Sequence, residues 1–197
     1  MKIQVIVAST RPGRTGDRVG KWVAGMAAVQ SGFEVELVDL ADYPLPHFDE
    51  SVSPRFNASR EPNVAARRWL AKIAEADGYV IVTPEYNHSF PGILKDAIDY
   101  TDFQLQKKPV AIVSYGSVGG ARAAEQLKLV LIEAKAAVVP EALAIIGVKG
   151  VVDEDGRYTG DKAFGPAAQL RHILGELSWW AAALKAGREQ SAPAAVN

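Results

Sequence analysis

The residues best suited to chemistry stand together in Thr83-Pro84-Glu85-Tyr86-Asn87-His88-Ser89-Phe90-Pro91-Gly92. They offer an aromatic ring, a side-chain amide, hydroxyls and backbone amides, but no nucleophile–base pair. Such a set suits holding a flat cofactor better than attacking a substrate. The stretch follows an apolar run, Gly78 to Val82, and precedes a helical pattern, Ile93 to Ile98. A loop from the carboxyl end of a buried strand into a helix is where open α/β sheets take ligands.

Two further loops have the same setting. Ser9-Thr10-Arg11-Pro12-Gly13-Arg14-Thr15-Gly16-Asp17 joins the first strand to a helix N-terminus. Unpaired backbone N–H groups and the helix dipole favour an anion there. Hydroxyls of Ser9, Thr10 and Thr15 and the Arg11 guanidinium add donors, so a phosphate monoester suits the loop. The competing reading is a glycine-rich turn with solvated arginines. A dinucleotide fingerprint, G-x-G-x-x-G, is not met by Ala8, Thr10 and Gly13. A P-loop ending at Gly20-Lys21 would need glycine at Thr15 and Ser or Thr at Trp22. The third loop, Ser114-Tyr115-Gly116-Ser117-Val118-Gly119-Gly120, has glycines that permit close backbone approach to a ligand.

The elements that must position these loops read as α/β. Short apolar runs predict strands at Ile3–Ala8, Phe33–Leu40, Tyr79–Thr83, Pro109–Tyr115 and Ala142–Ile146. Most are apolar on both faces, the pattern of a parallel sheet covered on two sides. Helical spacing relates Val19, Trp22, Val23, Met26 and Ala27, with Gly32 as the expected stop. It recurs at Ala65, Trp69, Ile73 and Ala76, and after Pro91, expected at the first helical position. Ala124, Leu127, Leu131 and Ala134 mark a further helix, and Leu170 to Leu184 the last. Residues 41–63 hold four prolines and read as a long irregular connection. Val151–Thr159 reads as a small hairpin turning on Asp155-Gly156, an acidic tip without calcium-loop spacing. One domain, 1–187, and a flexible tail, 188–197, are expected. Of Trp179 and Trp180, one should face away from the core.

The chain has 197 residues, 48% of them apolar, and a net charge of -1. That argues against a nucleic-acid partner and against long disorder. No apolar run reaches the roughly 18–20 residues of a membrane span. With no signal-type segment at the N-terminus, a cytoplasmic location is expected. There are no cysteines, which excludes thiolate catalysis and Cys-ligated metal. Redox chemistry would therefore have to come from a bound cofactor.

Three segments carry a resemblance to a known family: Ala8 to Gly13, Pro84 to Asp99, and Ser114 to Gly120. Together they resemble the NADPH-dependent FMN reductases, the flavodoxin-like quinone, chromate and azo-dye reductase group. The resemblance implies a doubly wound five-stranded sheet of order 2-1-3-4-5, with FMN as cofactor and NADPH or NADH as co-substrate. It places the FMN phosphate on Ser9 and Arg11, with Thr15, Gly16 and Asp17 alongside. It sets Pro84, Glu85, Tyr86 and Asn87 against the flavin ring, largely through backbone groups. Ser114, Tyr115, Gly116, Ser117 and Gly119 complete the shared site. Quinones, other flavins, azo compounds or metal oxyanions would be the acceptors, and a homodimer or homotetramer the assembly. No residue is assigned as catalytic acid or base, and no metal is expected. His47, His88 and His172 read as solvated histidines, and Arg14 and Arg18 as free surface arginines. Asp96 and Tyr100 stand where the family commonly has asparagine and tryptophan. An FMN electron carrier is the alternative, though carriers of that kind are often markedly acidic. A regulatory flavin- or nucleotide-binding module is a third reading.

Overall fold

The computed structural model describes residues 1–161 and 163–191. Among them, five parallel strands form one sheet: β1 Lys2–Val7, β2 Glu34–Asp39, β3 Gly78–Pro84, β4 Pro109–Gly116 and β5 Ala137–Ile146. Their order is β2-β1-β3-β4-β5, as expected. The helices are α1 Gly16–Ala28, α2 Val64–Ala74, α3 Gly92–Asp99, α4 Ala121–Glu133 and α5 Gly165–Ser191.

Strand alternation divides the interior into two cores. Ile6, Ile81 and Ile112 point to one face, where α2, α3 and α4 supply Trp69, Leu94 and Leu127. Their neighbours Val5, Val80, Val82 and Val113 point to the other face, against Val19 and Trp22 of α1 and Leu170 and Leu177 of α5. Burying each such side chain contributes about 1.5–3 kcal/mol, so apolar residues on both faces hold the sheet between its helices. Gln4, the one polar residue of the first run, is fully buried. Its amide donates to the Lys72 carbonyl at 2.8 Å and to Glu36 at 3.2 Å.

Several boundaries differ from expectation. α1 ends at Ala28, and Gly32, at φ +83°, turns the chain into β2 rather than ending the helix. Pro91 is the residue before α3, with extended ψ, not its first helical residue. β5 begins at Ala137, because the pairing jumps from Val110–Val138 to Ile112–Ala142 and Pro140 falls inside that bulge. A bulge is one place where a strand tolerates proline. Val151–Thr159 is a small hairpin as expected, with one antiparallel bridge, Val152 to Tyr158, flanked by backbone bonds from Asp153 N–H to the Arg157 carbonyl and from Thr159 N–H to the Val151 carbonyl, each 3.0 Å. α5 continues through Ser191, and Arg188 donates to the Lys107 carbonyl at 2.7 Å and to Asp77 at 3.2 Å. Residues 188–191 are therefore helical where a tail was expected, while 192–197 lie outside the described residues. Trp179 is exposed and Trp180 packs on the α1–α5 core. Among the described residues no helix is long and apolar enough to cross a membrane.

The connection 41–63 is irregular but tied down. The Arg60 guanidinium meets Glu50 at 2.8 Å and the Tyr100 carbonyl at 2.9 Å. Asp96 accepts from the Phe48 amide at 3.0 Å, and the Tyr100 hydroxyl donates to the His47 carbonyl at 3.2 Å. Both departures from the family pattern thus contact this connection. His47 is itself 3.1 Å from Asp96.

Candidate functional site

The strand order places the carboxyl ends of β1, β3 and β4 side by side. Between β1 and β3 the winding reverses direction, which opens a crevice at the edge of the sheet. Hydrogen bonds carry the pairing past the strands: Ala8 N–H to the Val82 carbonyl and Glu85 N–H to the Tyr115 carbonyl, each 2.9 Å. A cavity of about 250 Å³ lies between the first and central loops, lined by Arg11, Arg14, Thr15, Pro84, Tyr86 and Tyr115 among others. A second, of about 500 Å³, shares Thr15 and Tyr115 with it and is walled by Gly116, Ser117 and the segment Gly147 to Gly150.

One end of this space is built for an anion. Thr15 precedes α1 but makes no side-chain capping bond, so the first-turn amides remain for a ligand. Arg11 is exposed beside them. The Tyr115 hydroxyl is buried with no partner. Burial, then the nearby Tyr86 and Asp17, push its pKa up against the opposing pull of Arg14 and the Thr15 hydroxyl, so it stays a neutral donor. Gly16 makes its position possible: a β-carbon there would come within 2.6 Å of the Tyr115 oxygen. One Asp17 carboxylate oxygen is likewise buried and unpartnered, an acceptor suited to a hydroxyl rather than to a phosphate.

The central loop is a tight turn. Tyr86 and Ser89 exchange backbone hydrogen bonds of 2.8 and 3.0 Å, and the two residues between them, Asn87 and His88, have φ of 50° and 71°. Two successive positive φ values define the turn that usually carries Asn-Gly, so histidine at the second place is strained. The amides of Glu85 and Tyr86 are spent on Tyr115 and Ser89. The amides the turn presents are those of Asn87 and His88. The Glu85 side chain, 6% exposed, faces α4 rather than the cavity. It pairs with Arg122 at 2.6 Å and accepts from the Arg122 amide at 3.2 Å. His88 is not simply solvated either, since its Nε2 lies 2.7 Å from the same guanidinium.

Two other predicted groups act as supports. Ser9 is fully buried and its hydroxyl lies 2.7 Å from that of Tyr86. Ser114, also fully buried, donates to the Gly119 carbonyl at 2.9 Å and so holds the third loop from beneath. Gly119 has φ +75°, and a β-carbon would meet that of Ala144 at 2.9 Å. Ser117 is exposed on the wall of the larger cavity. Arg14 is no free arginine: it holds Asp39 through both guanidinium nitrogens, one at 2.8 Å, and donates to the Ser9 carbonyl. Arg18 lies 3.8 Å from Glu154.

Sequence reasoning missed the fourth wall, Gly147-Val148-Lys149-Gly150. The signal was present, since Gly147, at φ +64°, follows a strand as the other three loops do. The donor set fits FMN: hydroxyl, guanidinium and helix amides for a phosphate, an orphan carboxylate oxygen for a ribityl hydroxyl, and a loop tip with free amides for a flavin edge.

Comparison with known proteins agrees. The family model described as NADPH-dependent FMN reductase matches residues 1–149. An NAD(P)H-dependent FMN reductase of Schizosaccharomyces pombe is 40% identical over 179 residues, covering 86% of this chain and 90% of its own. A quinone reductase of Escherichia coli is 34% identical over 188 residues, covering 90% and 93%. The flavoenzyme NAD(P)H:(acceptor) oxidoreductase FerB of Paracoccus denitrificans superposes with a TM-score of 0.67 over 93% of this chain and 97% of its own. At 24% identity that likeness speaks for the fold alone.

Proposed function

The chain belongs to the NADPH-dependent FMN reductase family, and we propose that, as an NAD(P)H-dependent FMN oxidoreductase, it passes electrons to small quinones. The observation that carries the reading is the meeting of two cavities at Thr15 and Tyr115, one ending in anion donors and the other walled by Gly116, Ser117 and the segment Gly147 to Gly150. Quinones stand ahead of flavins, azo compounds and metal oxyanions because of the similarity to a quinone reductase. Bound FMN supplies the redox chemistry, accepting two electrons from the nicotinamide and yielding them to the acceptor.

The protein's part is binding and orientation. Arg11, the Thr15 hydroxyl and the amides of Gly16 and Asp17 hold the phosphate, with the Tyr115 hydroxyl as a further donor. The Asp17 carboxylate accepts from a ribityl hydroxyl. Pro84, Tyr86 and Asn87 border the flavin ring, and Gly116, Ser117 and Gly119 let the third loop approach it. Ser9, Glu85 and Ser114 position these groups through the bonds described above. None of them needs to move a proton.

In the same reading the enzyme is a homodimer or homotetramer. Support comes from Phe56 (85% exposed) and the exposed Leu129, which line a cavity of about 410 Å³ between α3, α4 and the 53–56 segment. A cytoplasmic location goes with the NAD(P)H the reaction consumes.

The test is anaerobic reduction. The purified protein should carry FMN non-covalently, NADPH or NADH should bleach it, and a benzoquinone should restore the colour. FMN fully bound but not bleached by either dinucleotide would defeat the enzyme reading in favour of a carrier.

A further inference from the structure

A cavity of about 420 Å³ lies on the α1–α5 face, with no lining residue in common with the two cavities at the flavin site. Its walls are Trp22 and Met26 of α1, Tyr158 of the 151–159 turn and Ala167 of α5. The Trp22 and Tyr158 rings are stacked, with centroids 5.3 Å apart and planes 15° from parallel. Lys21, Arg157 and Arg171 also line it, and among its described lining residues there is no acid.

The turn is shaped to close over α1. Gly156 has φ +82°, and a β-carbon there would strike Lys21 Cβ at 2.6 Å and approach the Arg18 carbonyl at 3.1 Å. The Asp153 carboxylate accepts from the amides of Asp155 and Arg157, at 3.0 and 2.7 Å, and fixes the tip. Asp155 pairs with Arg157 at 2.8 Å, but both side chains are largely exposed, and such a pair holds a guanidinium weakly.

We infer that this cavity binds a small organic anion with a planar apolar body, of the aromatic carboxylate class, at a site separate from the flavin. The apolar walls take the ring, and the cationic rim takes the carboxylate. Aromatic walls with a few polar groups placed at one side are the usual build of a small-molecule site.

The test uses the FMN-loaded protein and 2-naphthoate, with 2-naphthalenemethanol as the neutral analogue, in equilibrium dialysis. The naphthoate should bind saturably at one site per chain while FMN stays bound. The neutral analogue, and naphthoate with the Lys21→Gln/Arg157→Gln variant, should each bind at least about tenfold more weakly, as loss of charge-assisted contacts requires. Both substituted side chains are exposed, so the variant should retain FMN and the wild-type circular dichroism. Absence of saturable binding would overturn the inference. So would equal binding of the neutral analogue, indifference to the double substitution, or displacement of naphthoate by added FMN or NADPH.

Discussion

The phenol oxygen of Tyr86 lies 2.7 Å from Oγ of Ser9, a hydrogen bond that ties the central loop to the first. The Arg11 amide also reaches Ser9 Oγ, at 3.4 Å, and the Arg11 guanidinium stands 5.9 Å from the Tyr86 ring centre. Ser9 is thus the buried post on which two ligand-facing groups are set. A net hydrogen bond contributes about 0.5–1.5 kcal/mol, so Ser9→Ala and Tyr86→Phe should each lower apo-protein stability by about that much. Because they remove one shared bond, the two changes should not add in a double-mutant cycle. Full additivity in urea unfolding would show that the bond does not form in solution.

Arg11→Ala should act on binding instead of folding. Its side chain is exposed, and its proposed work is a charge-assisted contact to phosphate. Such contacts contribute roughly 1.5–3 kcal/mol, about one to two decades of affinity. Fluorescence titration of apo-protein with FMN measures the loss. A folded variant of unchanged affinity would remove Arg11 from the phosphate site.

His88 occupies the second positive-φ place of the central turn. Replacing it with glycine relieves a left-handed conformation that costs other residues about 1–2 kcal/mol, and gives up an exposed contact to Arg122. His88→Gly should therefore unfold at the same or a higher denaturant concentration. Because the reaction needs no side-chain acid there, the rate of flavin bleaching by NADPH should stay within about tenfold, or roughly 1.4 kcal/mol of barrier. A variant that binds FMN but bleaches a hundredfold more slowly would make His88 part of the chemistry.

Lys108 gives a pH test far from the site, at the amino end of β4. It is 9% exposed, and its ammonium donates to the Ala74 carbonyl at 3.0 Å and to the Tyr79 hydroxyl at 3.3 Å. Burial, reinforced by Arg188 and opposed by Asp77, pulls its pKa down from 10.5 to about 8. Below pH 8 the lysine is charged in both states, and the folded state bears the cost. Between pH 8 and 10.5 the unfolded chain binds the extra proton, so stability rises with pH. The slope is at most about 1.4 kcal/mol per pH unit. Lys108→Met should match or exceed the wild type near pH 7, and its advantage should shrink from pH 8 to 10.5. A stability difference that is flat over that range would disprove the depressed pKa.

The strands were legible because burial on both faces leaves short apolar runs, as in Tyr79 to Thr83. Their neighbour order was not, since periodicity says nothing of which strand lies beside which; that came from the family resemblance. The first half of β5 escaped notice because Pro140 and Glu141 interrupt its apolar run, and only a bulge makes them compatible with a strand. The loops of the site were visible as polar, glycine-bearing links from strand to helix. The partners within them were not. Arg14 meets Asp39, Glu85 meets Arg122, and Ser114 turns inward to Gly119. Each pairing depends on tertiary packing, which spacing along the chain does not encode. Ser9, read as a phosphate donor, lies buried against the Tyr86 hydroxyl for the same reason.

The shape of the site also constrains the order of events. The larger cavity, bounded by Tyr115, Gly116, Ser117 and the Gly147–Gly150 segment, is the open face beside the anion pocket. In the proposed reading it is the place where a nicotinamide and a quinone must each stack on the same flavin face, so the two cannot occupy it together. The oxidised dinucleotide should leave before the acceptor enters. Initial rates with a benzoquinone varied at several NADPH concentrations should then give parallel double-reciprocal lines, the sign of a ping-pong mechanism. High quinone should inhibit by competing with NADPH for the same face. Lys149→Trp, at an exposed position on that wall, should raise KM for both partners together while FMN remains bound. Intersecting lines, or a rise in KM for only one partner, would mean that the two occupy different places and that the single-face reading is wrong.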